Sequence, residues 1–210
     1  MSATTLATRD DVLAADLFAQ IAAEVEALIE TERSYLPTHK KGGTVAYSVL
    51  RKKAPTLVDH YLSVEMRWLV SRIVGTEVRP TPLHDESSCS VLFYEKPGDH
   101  INWHYDHNFY RGRHFTVLIP LVNRSRDGGL SAARLQAKHG GHKVEISTPP
   151  NRMIVFEGAK VRHKVTPIAE GERRCVWSMT YCVDPRNSAV QDMARRVKDT
   201  AFFGLRSLWT

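Results

Sequence analysis

The segment Trp103-His104-Tyr105-Asp106-His107 decides how the rest of the chain is read. Residues i and i+2 of an extended strand project from one face, so a strand here aims the His104 imidazole and the Asp106 carboxylate at one point. A second imidazole is offered by His163, in the strand-like run Val161-Arg162-His163-Lys164-Val165-Thr166-Pro167. Two histidines and one carboxylate on one face leave the opposite coordination positions open, which suits non-haem Fe(II) and oxygen chemistry.

Working outward, both segments lie in a region of short apolar runs separated by Pro, Gly, Asp and Asn. The runs are 89–94, 100–105, 115–122, 130–136, 143–147, 153–156, 161–165 and 173–183. Short strands at roughly ten-residue spacing signal a sandwich or barrel. Ahead of them the texture is helical. Leu13, Leu17, Ile21, Val25 and Leu28 recur at helical spacing between Asp10 and Arg33, and Pro37 ends that pattern. Val45 to Leu50 reads as a short edge strand. Ala54-Pro55 then opens a second helix through Leu57, Tyr61, Val64, Leu69 and Ile73 to Gly75. A last helix is expected over 188–199, with the apolar tail Ala201 to Thr210 packed on the protein or forming a homodimer interface. The fold class is therefore mainly β with flanking α-helices, a jelly-roll core under N-terminal helices. Residues 1–210 read as one domain, with helical support over 1–77, a β-core over 78–184, and a C-terminal helix and tail over 185–210.

Lys40-Lys41-Gly42-Gly43 breaks the helical pattern, and two readings stand for it. One is a solvated loop; the other is a lid that meets an anionic group.

At 210 residues the chain suits a single core, and no apolar run approaches the roughly 20 residues of a membrane span. Met1 to Asp10 lacks the pattern of a secretory or organellar signal, so cytoplasmic residence is expected. Cys89, Cys175 and Cys182 form no CxxC pair and read as reduced core residues. The formal charge of +6 is scattered along the chain, which makes nucleic acid an unfavoured partner and a small, anionic molecule an equally good one.

With these residues in place, the sequence over about 89–184 resembles the Fe(II)/2-oxoglutarate oxygenase superfamily, whose double-stranded β-helix carries an HxD pair and a distal histidine in this order. Tyr94-Glu95-Lys96-Pro97-Gly98 is similar to the Tyr-x-x-Gly stretch of prolyl-hydroxylase-like members. Arg113-His114-Phe115-Thr116 with the strand that follows, and Asp127-Gly128-Gly129-Leu130, are similar to the next strand and turn. His163, then Gly171-Glu172-Arg173, looks like the distal histidine and the basic residue that anchors the cosubstrate.

The resemblance implies His104, Asp106 and His163 as metal ligands and catalytic residues, with Fe(II), 2-oxoglutarate and O2 as cofactor and cosubstrates. It also implies oxidation of a small molecule with release of succinate and CO2. A guanidinium pairs bidentately with a carboxylate, so an arginine is expected to hold the cosubstrate. Family spacing favours Arg173. Strand parity offers Arg174, which shares a face with Ser178 and Thr180, and both stand. Tyr94 and Thr116 are candidates to hydrogen-bond the same carboxylate.

Substrate contacts are expected from the loop just past the metal, at His107, Asn108, Tyr110 and Arg111, and from Ser178 and Thr180. His100 and His114, which flank the metal strand, read as structural or outer-sphere groups. The narrower likeness is to small free-amino-acid halogenases and their Asp-containing hydroxylase relatives. Halogenating members lack the carboxylate of the HxD pair, so Asp106 implies hydroxylation of a free amino acid or amino-acid-like metabolite. The competing readings are a nucleic-acid dealkylating oxygenase and a non-catalytic metal-binding jelly roll.

Overall fold

The computed structural model describes residues 6–29 and 40–203. In chain order the elements are β1 (Leu6–Arg9), α1 (Ala15–Ile29), β2 (Lys40–Lys41), β3 (Gly43–Val45), α2 (Tyr47–Lys53), α3 (Pro55–Leu62), α4 (Val64–Val74) and β4 (Arg79–Pro80). Then come β5 (Cys89–Tyr94), β6 (His100–His104), β7 (Arg111–Arg124), β8 (Leu135–His139), β9 (His142–Ile146), β10 (Met153–Phe156), β11 (Arg162–Val165), β12 (Arg173–Asp184) and α5 (Ala189–Phe203). The expected stop at Pro37 and residues 204–210 of the apolar tail lie outside the described residues.

The strands form the two sheets of a jelly roll, antiparallel throughout. The larger runs β1-β10-β7-β12-β5-β3 with β4 against β12; the smaller runs β2-β6-β11-β8-β9. Its spine is the long pairing of β7 with β12, from Arg173 opposite Arg124 to Asp184 opposite Arg111. Side chains of β12 alternate across that spine. Cys175, Trp177, Met179 and Tyr181 enter the main apolar core with Ile21, Val25, Leu57, Tyr61 and Val70 of the helices. Each large side chain buried there contributes roughly 2–3 kcal/mol. Arg174, Ser178 and Thr180 therefore face the other way, into the space between the sheets, and all three are buried.

Three local expectations are corrected. Val45 to Leu50 is a strand only as far as Val45; from Tyr47 it is helical. Glu86 explains the switch, because its carbonyl accepts from Tyr47 N (3.1 Å) and its carboxylate from Ser48 N (3.0 Å), satisfying amides that a helix start leaves open. The single helix from Ala54 to Gly75 is two. Ser63, extended at ψ 153°, caps α4 by accepting from Met66 N at 3.1 Å. Gly75 ends α4 in the left-handed region, as its position suggests. The first helix begins at Ala15 because Leu6 to Arg9 pair as a strand with β10. The Asn151 side chain then clasps both the amide and the carbonyl of Leu13.

The lysine and glycine segment is the fourth difference. Lys40 and Lys41 form β2 against Ile101 and His100 of β6. Gly43 is there for packing: a Cβ on it would fall 1.8 Å from the Phe93 ring. Close approach of backbone to an aromatic ring, which only glycine permits, pins this segment to the sheet edge.

Candidate active site

His104 closes β6, and His163 of β11 sits directly opposite it in the strand register. Asp106 lies just beyond β6, its amide donating to the Gly158 carbonyl at 3.1 Å. These contacts bring the three ligand groups within 4.8 Å of one another. The His104 and His163 Nε2 atoms stand 3.6 and 3.7 Å from Asp106 Oδ1. Each imidazole is aimed by its own strand: Nδ1 of His104 meets the Asn102 carbonyl at 2.7 Å, and Nδ1 of His163 the Val161 carbonyl at 3.0 Å. That fixes Nε2 as the ligating atom in both.

Thr116 of β7 donates its hydroxyl to Asp106 Oδ2 at 2.5 Å. It thereby holds the carboxylate so that Oδ1 faces the histidines. The bond also uses the one donor Thr116 has, so the hydroxyl expected to reach the cosubstrate is given to the metal carboxylate instead. Burial pushes the Asp106 carboxyl up, but His163, His104 and Thr116 outweigh it and hold the group well below the usual carboxylate range. Burial lowers His163, which keeps it in the neutral form that ligates. Backbone room matters as much. A Cβ on Gly158 would lie 2.6 Å from Asp106 Oδ2 and 2.8 Å from Thr116 Oγ1.

The donor set of two imidazoles and a carboxylate fits a divalent transition metal with open positions on one side. The cosubstrate fits too. Arg174 is 1% exposed, and its Nε and Nη1 have no hydrogen-bond partner. Tyr94, opposite it in register on β5, carries a buried hydroxyl that is equally unpartnered. A buried guanidinium without an anion is expensive, and these unpartnered donors on neighbouring strands suit an incoming carboxylate. Arg173 takes the other face, where it pairs with Glu26 (3.3 Å) of α1 and Glu95 (3.2 Å).

Beside the triad opens a cavity of about 190 Å³. Ser178, Thr180 and His107 line it, together with His104, Asp106 and Thr116. The rest of the loop after the metal strand does not. Asn108 braces the loop itself, donating to the Gly112 carbonyl and accepting from Tyr110 N at 2.9 Å each. Tyr110 is buried, with its hydroxyl on Asp85 Oδ2 at 2.7 Å. Arg111 is exposed at the start of β7.

Asp85, Ser87, Ser90 and Lys198 also line the cavity and are not among the expected site residues, while Lys40 enters it from the segment read as a loop or an anion-meeting lid, and His114 from beside the metal strand. His114 is two residues before Thr116 on one strand and so shares its face. Lys198 arrives from α5, donating to Asp85 (3.0 Å) and Ser87 (2.6 Å) and lying within ion-pair distance of Asp199 (2.8 Å). Among the described residues no helix is long and apolar enough to cross a membrane.

Comparison with known proteins agrees with this geometry. A family model described as Halogenase D matches residues 1–129, and one described as the 2OG-Fe(II) oxygenase superfamily matches residues 89–181. No curated protein matches the chain. Among solved structures, a prolyl-4-hydroxylase from Pseudomonas putida is 18% identical with a TM-score of 0.63, covering 84% of this chain and 91% of its own. AviO1 from Streptomyces viridochromogenes is 19% identical with a TM-score of 0.65, covering 89% and 94%. The epimerase SnoN from nogalamycin biosynthesis is 16% identical with a TM-score of 0.68, covering 85% and 77%. At such identities these neighbours speak for the fold. The Halogenase D model spans more than half of the residues, and the superfamily model covers Asp106 and both histidines; the chain thus belongs to the Halogenase D family of Fe(II)- and 2-oxoglutarate-dependent oxygenases.

Proposed function

We propose that this oxygenase hydroxylates an unactivated C–H bond of a small molecule, a free amino acid or amino-acid-like metabolite. The observation that carries the reading is Asp106. Its carboxylate occupies the coordination place that a halide needs in halogenating members of the group, and Thr116 and Gly158 hold it there. Fe(II), 2-oxoglutarate and O2 together supply oxidative decarboxylation of the cosubstrate to succinate and CO2 coupled to oxidation of the substrate.

The chain's residues supply placement. Arg174 and Tyr94 offer charge and a hydrogen bond to the far carboxylate of the cosubstrate, and the Thr116 hydroxyl orients Asp106. Ser178, Thr180 and His107 present hydrogen-bonding groups around a cavity sized for a small metabolite. A preorganised pocket of this kind favours one orientation of a bound substrate. Cytoplasmic residence belongs to the same proposal and is supported by three buried, unpaired cysteines.

The experiment is succinate release under air across a panel of the standard amino acids, with chloride present and products read by mass. Expected is stimulation by one or a few members, a product heavier by one oxygen atom, and loss of both in Asp106→Ala. A chlorinated product, or no stimulation by any member, would remove the proposal.

A further inference from the structure

Two lysines reach the cavity, and they differ in how their charge is met. Lys198 donates to Asp85 and Ser87 and is ion-paired with Asp199. Asp85 is in turn occupied by Lys198, by the Ser87 amide and hydroxyl, and by the Tyr110 hydroxyl. With Arg195 paired to Asp199 at 2.7 Å, that network sets two cations against two carboxylates and holds α5 in place. Lys40, buried at 5% exposure, also lines the cavity, on the edge strand beside the one that carries His104. Its ammonium donates to Thr44 Oγ1, and among the described residues no carboxylate lies within ion-pair distance of it. Asp99, whose charge acts on Lys40, has its Oδ2 bonded to the Glu95 and Lys96 amides at 3.0 Å each. Burial pulls the Lys40 ammonium down to about 7 and outweighs that charge, the response of a desolvated cation.

Buried ammonium groups persist where an anion completes them. The far carboxylate of 2-oxoglutarate already has Arg174 and Tyr94, and its other end belongs at the metal. We infer that Lys40 is the anchor for a carboxylate of the substrate, and that the cavity takes acidic or neutral amino acids in preference to cationic ones. The second half follows from Asp85: the cavity's carboxylate outside the metal triad is saturated, so a lysine or arginine side chain would enter without a counter-charge. This inference rests on the amino-acid reading above and narrows it.

Two measurements test it. The first is brief amine acetylation of the full chain loaded anaerobically with Fe(II) and 2-oxoglutarate. Peptide mass spectrometry reads Lys40 labelling relative to the exposed Lys143. Glutamate, aspartate, glutamine, lysine, arginine or the amine-free carboxylate butyrate is then added. Expected is at least a fivefold fall in the ratio with the acidic amino acids and no fall with 2-oxoglutarate alone. Protection by 2-oxoglutarate alone would assign Lys40 to the cosubstrate and overturn the inference, and so would protection by none of the ligands.

The second is kinetic. Lys40→Met should raise the KM of the best amino acid roughly 30-fold, as expected for loss of one partner of a hydrogen-bonded charge pair, with a smaller change in kcat. Lys40→Arg should recover part of it. A wild-type preference for lysine or arginine, or an unchanged KM, would contradict the inference. Should no amino acid stimulate turnover, the broader reading fails, while protection by butyrate still decides whether Lys40 holds a substrate-side carboxylate.

Discussion

Arg174 and Tyr94 face each other across the β5 and β12 pairing, the guanidinium carbon 5.7 Å from the centre of the phenol ring, and both present unpartnered buried polar atoms. Two adjacent β12 arginines thus have opposite environments. Arg174→Met should raise the KM for 2-oxoglutarate at least 100-fold, since a desolvated charge pair is lost. Arg173→Gln should leave that KM within about twofold and cost about 0.5–1 kcal/mol of stability, because its pairs with Glu26 and Glu95 are partly solvated. Initial-rate kinetics on the two variants, with thermal melting as the control, checks both.

The metal carboxylate is held by a hydroxyl and by the room that one glycine leaves. Thr116→Val removes the 2.5 Å bond to Asp106 with little change of shape and should weaken metal binding roughly 10- to 100-fold, the usual size of an outer-sphere loss. Gly158→Ala should weaken it further, because its Cβ falls 2.6 Å from the carboxylate itself. Competition titration of Fe(II) or Mn(II) against a chelator measures both, and circular dichroism should show the fold retained.

Asp85 ties α5 to the cavity wall. Burial raises its carboxyl, but Lys198, Ser87 and Tyr110 outweigh that and hold it at about 2. A folded-state value below that of the unfolded chain contributes stability that is complete above roughly pH 4 and is lost as the pH falls through about 2. Asp85→Asn should therefore lower stability at neutral pH by about 2–4 kcal/mol and flatten the acid limb of the stability profile. Urea unfolding between pH 2 and pH 7 reads the slope; an unchanged acid limb would place the stabilising charge elsewhere.

Burial pushes each of the Cys89, Cys175 and Cys182 thiols up to about 12. The thiolate is the reactive form, so at pH 8 the native protein should resist alkylation by iodoacetamide and take up three equivalents once unfolded. Rapid labelling of native protein would show that one of these strands opens easily.

The ligand set was legible from its HxD spacing and the distal His163, although the strand expected to carry both His104 and Asp106 ends at His104, and Asp106 is placed instead by the Gly158 carbonyl and the Thr116 hydroxyl. Alternation in β12 divided Arg174, Ser178 and Thr180 from the apolar face of Cys175, Trp177 and Met179. What alternation does not carry was missed. Lys40 and Lys41 beside two glycines left open a solvated loop or a lid meeting an anion, and composition did not show that Gly43 packs beneath Phe93 as part of a sheet-edge strand that brings Lys40 to the cavity. Tyr47 to Lys53 turns helical through Glu86, nearly forty residues away in sequence. Lys198 enters through docking of a terminal helix, a tertiary event with no local mark.

The most direct test of the whole is anaerobic addition of Fe(II) and then 2-oxoglutarate to the purified protein, followed in the visible spectrum. Wild type should develop a charge-transfer band that saturates with one equivalent of each, and Asp106→Ala and Arg174→Met should develop it weakly or only at high ligand concentration. A wild-type spectrum that stays flat, or a band of equal strength in all three proteins, would contradict a cosubstrate held between the triad and Arg174.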